Sequence, residues 1–253
     1  PEILHGALYD TTIYSNVLGN SRTIRVYTPP MYNPDGPDSF EVAVFHDGLD
    51  WINFSHANNA LDYLIFNSHI RPLIAIFVPP VNRDAEYIGD QQDPFAEFLT
   101  TELLPYIDAK YKTQKRPESR ANIGISNGGN IALWILHKYP QEFGNAASFS
   151  GNIQSTTSSA FENGSLQSPR LYIDAGTYDL SGFLVLTRNF RQILQAKSYA
   201  HSYNEWHEGH SWGSWGAHLD NALEFFFPGN PVGLPEEQEL PGSFVLMQMS
   251  RAT

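Results

Sequence analysis

Six short, apolar, β-rich runs recur along the chain, each followed by a gap long enough for a helix. This alternation constrains the fold more than any other feature. The runs are 41–45 (EVAVF), 73–78 (LIAIFV), 121–125 (ANIGI), 146–149 (AASF), 171–173 (LYI) and 202–206 (SYNEW). In the gaps, Phe95, Phe98, Leu99, Leu103 and Leu104 recur at helical spacing, as do Ile131, Leu133, Trp134 and Leu136, then Phe190, Ile193 and Leu194. Strands separated by about one crossover helix each read as βαβ units, so the expected fold is α/β, a mostly parallel central sheet with helices on both faces. Residues 7–17 and 22–27 predict an antiparallel strand pair ahead of it, joined by Leu18-Gly19-Asn20-Ser21.

A chain of 253 residues fits one such domain, expected over 1–228. Beyond it, Pro228-Gly229-Asn230-Pro231 and Leu234-Pro235-Glu236-Glu237 read as a C-terminal tail, 229–253, whose acidic residues form a solvated surface. The chain has no cysteine, which excludes disulfides, zinc–thiolate sites and a cysteine nucleophile. Asp and Glu exceed Lys and Arg by 27 − 15 = 12, and a net charge of −12 repels nucleic acid and anionic lipid surfaces. No run is apolar enough to insert into a membrane. The reading is of a soluble chain, cytoplasmic, or secreted or periplasmic after processing; nothing sets its oligomeric state.

Directly after the run 121–125 comes Gly124-Ile125-Ser126-Asn127-Gly128-Gly129, followed by a helical pattern. This is G-x-S-x-G in a strand–turn–helix setting, which makes Ser126 the candidate nucleophile. A turn this tight strains the serine backbone and leaves no room for side chains two residues to either side. The following helix aims its amides and positive dipole end at the same place.

A serine hydroxyl needs a base, and the base needs an orienting group. After the run 171–173 come two carboxylates, expected on one loop: Asp174 and Asp179. Asp179 is preferred because it lies well outside the strand, while Asp174 reads as a cap on the loop's backbone amides. The candidate base is His210, which follows a glycine just ahead of the final helical pattern; His207 and His218 compete and read as structural.

The chain resembles the enterochelin-esterase-like branch of the α/β-hydrolase superfamily, serine esterases that include feruloyl and acetylxylan esterases. The likeness spans 22–227. It rests on Phe45-His46-Asp47-Gly48, Arg83-Asp84-Ala85-Glu86-Tyr87, Glu102-Leu103-Leu104-Pro105-Tyr106-Ile107, the serine motif, Ser150-Gly151, Gly176-Thr177-Tyr178-Asp179 and Gly209-His210-Ser211-Trp212, in this order. The resemblance implies the α/β-hydrolase fold, with Ser126 as nucleophile, Asp179 as acid and His210 as base. Oxyanion stabilisation is expected from the backbone N–H of Asn127 and, on the loop after the first parallel strand, from that of Leu49. His46-Asp47-Gly48 is otherwise an ordinary turn. Asn127 departs from the apolar residue more usual there, which makes the pocket beside the serine more polar.

Arg83 is a candidate for holding an anionic substrate group, with a structural ion pair, Glu86 lying near it in sequence, as the alternative. Trp51, Trp212 and Trp215 are candidates for substrate binding, and Trp206 also lies close to His210. Aromatics on both walls suit a hydroxycinnamoyl group or sugar rings; the alternative is packing beneath the loops. The expected activity is therefore acyl-enzyme hydrolysis of an aromatic or carbohydrate-linked ester, without metal or organic cofactor. The alternatives are a siderophore esterase, disfavoured by only 15 Lys and Arg, an acyltransferase of the mycolyl-transferase kind, and a silent binding module on the same scaffold.

Overall fold

The computed structural model describes residues 2–229, so the expected tail lies outside the described residues except for Gly229. The elements are β1 (Ala7–Ser15), β2 (Asn20–Thr28), β3 (Glu41–His46), α1 (Leu49–Ser55), α2 (Ala57–Phe66), β4 (Leu73–Val78), α3 (Arg83–Ile88) and α4 (Gln92–Glu97). A π-helical turn, Phe98–Leu103, runs into α5 (Leu104–Lys110); then come β5 (Arg120–Ile125), α6 (Asn127–Lys138), β6 (Asn145–Phe149) and α7 (Ser155–Asn163). The described chain closes with β7 (Arg170–Tyr178), α8 (Phe183–Ala196), β8 (Ala200–Gly209), α9 (Trp212–Ala217) and α10 (Leu219–Phe226).

One eight-stranded sheet has the order β1-β2-β4-β3-β5-β6-β7-β8. The β1–β2 and β2–β4 pairs are antiparallel, and every pair from β4 through β8 is parallel. The expected α/β architecture with an antiparallel pair ahead of it is therefore what forms. The central strands β3, β4 and β5 are buried along their whole length, as covered parallel strands must be.

Alternation in each strand divides the core in two. Val42, Val44, Ile74 and Ile76 pack with Phe95, Leu99, Ile131, Phe161 and Phe190 on one face. Ala43, Phe45, Ala75, Phe77 and Ile123 pack with Trp51, Leu61, Trp215 and Leu223 on the other. Thus α1, α2, α9 and α10 cover one face and the remaining helices the other.

Three local differences from the sequence reading have physical causes. The β3–β4 crossover holds two helices, split at His56, which adopts a left-handed conformation at φ 50°. The β4–β5 crossover is irregular because Pro105 lacks the N–H that a continuous helix needs, and the chain passes through a π turn just ahead of it. Finally, β7 and β8 run well past 171–173 and 202–206. Their extensions contain Asp174, Gly176, His207 and Glu208, so backbone pairing rather than apolar patterning extends them.

Candidate active site

The end of β5 and the start of α6 are joined by Ser126 alone, at φ 53° and ψ −122°. A non-glycine residue at positive φ persists only where its surroundings hold it. Here the Ser126 N–H donates to the Phe149 carbonyl at 2.9 Å, and the Ser126 carbonyl accepts from Gly129 N–H and Asn152 N–H, each at 3.0 Å. The flanking glycines are required by space. A Cβ on Gly124 would strike the Gly128 carbonyl, and one on Gly128 would lie 2.8 Å from Asp47 Oδ2. Ser126 is nearly buried, and its exposed surface opens into a cavity of about 290 Å³ lined also by Asp47, Asp50, Arg83, His210, Trp212 and Trp215.

Strand register brings the other two candidates together. In the β7–β8 ladder Tyr178 pairs with Gly209, past a bulge at Gly176, so Asp179 and His210 are each the next residue along. His210 Nδ1 lies 2.6 Å from Asp179 Oδ1. The Asp179 side chain is wholly buried and that of His210 is 16% exposed. Burial pushes the Asp179 carboxyl up, but bonds from His210, the Ser150 hydroxyl and the Leu180 N–H outweigh it and hold the group below the usual carboxylate range. Phe183 and Trp215 meet the imidazole edge to face, with centroids 5.2 and 4.8 Å away, and fix its plane. Ser126 and His210 line the same cavity and make no hydrogen bond to each other. In such sites this contact often tightens only on substrate binding.

Asp174 is not on a loop with Asp179: it lies inside β7 and is buried. Its Oδ1 accepts from the Ser150 N–H, and its Oδ2 from Tyr172 Oη and Trp206 Nε1. The amide it holds is not one of its own loop, as expected, but that of Ser150 just past the end of β6. Burial pushes its carboxyl up to about 7, against the bonds from Trp206, Ser150 and Tyr172, with the Asp179 charge adding to the rise. In the unfolded chain the same group ionises near 3.8. Between these values the native state holds an extra proton. The stability this contributes is full below about pH 4, falls as pH rises toward 7, and is flat above. Wild-type stability is expected to decline between pH 5 and 7 more steeply than that of Asp174→Asn, by an amount on the order of a few kcal/mol, which is read as a steeper fall of Tm with pH. Parallel Tm curves for the two proteins would assign the titration elsewhere.

The loop after β3 is shaped by Gly48 at φ 44°, where a Cβ would press into the Val78–Pro79 backbone. This close approach sets Leu49 at the first position of α1, while Asn127 occupies the first position of α6. First-turn amides have no acceptor within their own helix, so the Leu49 and Asn127 N–H groups are both available donors. Beneath the loop, burial pushes His46 down to about 3, so its ring is neutral and donates from Nε2 to Asn122 Oδ1.

Three sequence expectations change here. Trp51 is completely buried rather than on a substrate wall: its Nε1 donates to the His46 carbonyl and its ring packs against Phe45, Phe149 and Trp212. Arg83 reaches the cavity, but its guanidinium is held bidentately by Asp47, Nε to Oδ1 at 2.6 Å and Nη2 to Oδ2 at 2.9 Å. Its partner is not Glu86, which is bound instead by buried Arg22 through two 3.0 Å bonds. Trp206 is likewise structural, stacked on His218 at 3.8 Å and bonded to Asp174. Trp212 and Trp215 do line the cavity. His207 points to Thr177 and His218 to Glu208, neither to Ser126.

The sequence reading missed Asp47, Asp50 and Asp84 as part of this site. The Asp84 carboxylate accepts from the Asn127 side chain at 2.9 Å, so the unusual residue after the serine draws a charge to the Ser126 turn. Asn127 was itself the available signal. Among the described residues no three His, Asp or Glu side chains converge as a metal site, and no helix is long and apolar enough to cross a membrane.

A family model described as "Putative esterase" matches residues 15–226. The chain is 23% identical over 235 residues to the uncharacterized protein YjcH of Bacillus subtilis (strain 168), covering 87% of this chain and 97% of that one. Among solved structures, a ferulic acid esterase superposes with a TM-score of 0.78 at 20% identity, covering 88% of this chain and 98% of that one. The enterobactin esterase FES from Shigella flexneri, solved in the presence of enterobactin, also gives 0.78 at 20% identity, covering 88% of this chain and 59% of that one.

Proposed function

This chain belongs to the family described as "Putative esterase" and is an esterase, and from that premise we propose that it is a serine carboxylic-ester hydrolase working through an acyl-enzyme on Ser126. The observation that carries the proposal is the 2.6 Å contact between His210 Nδ1 and Asp179, on an imidazole that shares a cavity with the strained Ser126. Asp179 holds Nδ1 protonated and leaves Nε2 as the base.

In the first half-reaction His210 Nε2 takes the Ser126 proton as Oγ attacks the ester carbonyl. The Asn127 and Leu49 amides hold the resulting oxyanion. On collapse, protonated His210 delivers that proton to the departing alkoxide, releasing the alcohol and leaving an acyl-serine ester. In the second, His210 deprotonates a water that attacks the acyl group, and collapse frees the carboxylic acid and restores Ser126.

The substrate class proposed is an aromatic, hydroxycinnamoyl-type or carbohydrate-linked ester. Trp212 and Trp215 on a cavity of about 290 Å³ support it, since flat acyl groups stack on such walls. The likeness to a ferulic acid esterase supports the same class. The catalytic unit is taken as residues 1–228, with 229–253 as an appended tail.

The test is covalent labelling with a fluorophosphonate. Peptide mass spectrometry is expected to find the adduct on Ser126 and only background labelling after His210→Ala, because the reagent traps a serine only when a base activates it. Stoichiometric labelling of a different serine would overturn the assignment.

A further inference from the structure

Arg83 is the one Lys or Arg among the cavity-lining residues, and its charge is already matched by Asp47. Two more carboxylates remain. Asp50, exposed in the first turn of α1, lines the cavity and has no ion-pair partner among the described residues. Asp84, exposed in the first turn of α3, is bonded to the neutral amide of Asn127, and no cationic side chain pairs with it among the described residues. The Ser126 turn and its cavity thus hold three aspartates against one guanidinium: Asp47 paired with Arg83, Asp50 on the cavity wall, and Asp84 bonded to Asn127.

We propose that this site selects its esters by charge: Asp50 and Asp84 leave its mouth net negative, so it takes esters with neutral or cationic leaving groups and excludes those carrying carboxylate, phosphate or sulfonate near the scissile bond. The inference rests on the reading of this cavity as the ester site and narrows the substrate class.

Each charge is felt by one member of the Asp47–Arg83 pair. Burial is the main cause of the raised Asp47 carboxyl; Arg83 opposes the rise and the Asp50 charge adds to it. At Arg83, burial acts to release the proton, but Asp47 outweighs it and the Asp84 charge helps to hold the guanidinium protonated. A unit charge several ångströms from the reacting bond changes a rate by about threefold in a water-like medium, and by more where water is excluded. Two uncompensated charges therefore predict roughly a tenfold difference between a cationic and a neutral substrate of one shape, and about as much again between the neutral and the anionic one.

Three thioesters of butyric acid separate charge from shape: those of thiocholine, of 3,3-dimethylbutanethiol and of 2-sulfoethanethiol. The released thiol is read with a disulfide reagent without background, because the chain has no cysteine. At low ionic strength kcat/KM is expected to fall in the order cationic, neutral, anionic, by about tenfold at each step. The spread is expected to shrink to about threefold or less in the Asp50→Asn/Asp84→Asn double variant, whose new amide on α3 still offers an oxygen to the Asn127 side chain, and to collapse in 1 M KCl. An anionic ester cleaved as fast as the cationic one, or a ratio that neither change moves, overturns charge selection. Should the thioesters turn over too slowly, phosphonothiolates with the same three leaving groups read the same ratio from the rate of Ser126 modification. The Ser126→Ala variant separates the two readings. A flat ratio with turnover that depends on Ser126 sinks charge selection alone, whereas neutral-ester turnover that survives Ser126→Ala sinks the ester-site reading itself.

Discussion

Replacing Ser126 with alanine is expected to lower kcat for a methyl hydroxycinnamate or 4-nitrophenyl ester by about 10⁴-fold or more, with Tm essentially unchanged. The size follows from the proposed mechanism: without Oγ no acyl-enzyme forms, and only binding and the proposed oxyanion amides remain to assist direct attack by water. His210→Ala is expected to lose a comparable factor, and the double variant little more, because nucleophile and base act as one unit. Asp179→Asn is expected to cost about 10⁴-fold, since the amide favours the wrong imidazole tautomer while leaving the fold in place. Asp174→Asn, which alters a buried carboxyl that does not touch His210, is expected to leave kcat within a small factor of wild type. Steady-state kinetics on the four single variants therefore distinguish the two aspartates. A larger loss from Asp174→Asn than from Asp179→Asn would reverse their roles.

Arg22→Met is expected to destabilise the protein by about 3–5 kcal/mol, lowering Tm by roughly 10 °C. Arg22 and Glu86 are both almost fully buried, with side chains 1% and 0% exposed. The guanidinium also lies over the Phe95 and Phe98 rings, contacts that a methionine largely keeps. Most of the cost is the Glu86 carboxylate left in the core without a cation. The double variant Arg22→Met/Glu86→Leu is expected to recover much of the loss, because it removes the stranded charge along with its partner. Thermal melts of the three proteins check this. A single variant as stable as wild type would mean that water reaches Glu86 and replaces the arginine. Because Glu86 sits in α3, three residues beyond Arg83, this pair also anchors the helix that brings Arg83 to the cavity and Asp84 to the Asn127 side chain.

Much of the site could be read from local chain geometry. The strand–turn–helix around Ser126 announces itself because Gly124 is required by the Gly128 backbone only four residues away, whereas Gly128 answers to Asp47 from a remote segment. His210 could be read for a similar reason, as a histidine on a short connection between the last strand and the closing helices. The choice of Asp179 over Asp174 rested on Asp179 lying well outside the strand, but it is the residue directly after β7, and strand register rather than a free loop brings it to His210. The premise that both acids share a loop failed, because β7 continues through a polar stretch that only pairing with β8 holds extended. Trp51 could not be placed by its nearness to the oxyanion loop in sequence. Helix α1 turns that side chain into the lower core, where Phe149 of β6 and Trp212 of α9 receive it.

By itself the sequence determined the period of the elements, the parallel sheet that follows from it, the serine turn and the lack of thiol chemistry. Each of these depends on the alternation of apolar residues, on steric limits within a few residues, or on composition, and all of that is carried by neighbours along the chain. Only the tertiary structure decided which charges meet. Arg22 finds Glu86 across 64 positions, Arg83 finds Asp47 across 36, and Asp179 meets His210 because two strands align in a register set beyond their own residues. Ion pairs and cavity walls depend on distances of a few ångströms between remote segments, and those distances exist only once the sheet has twisted and its two faces have closed.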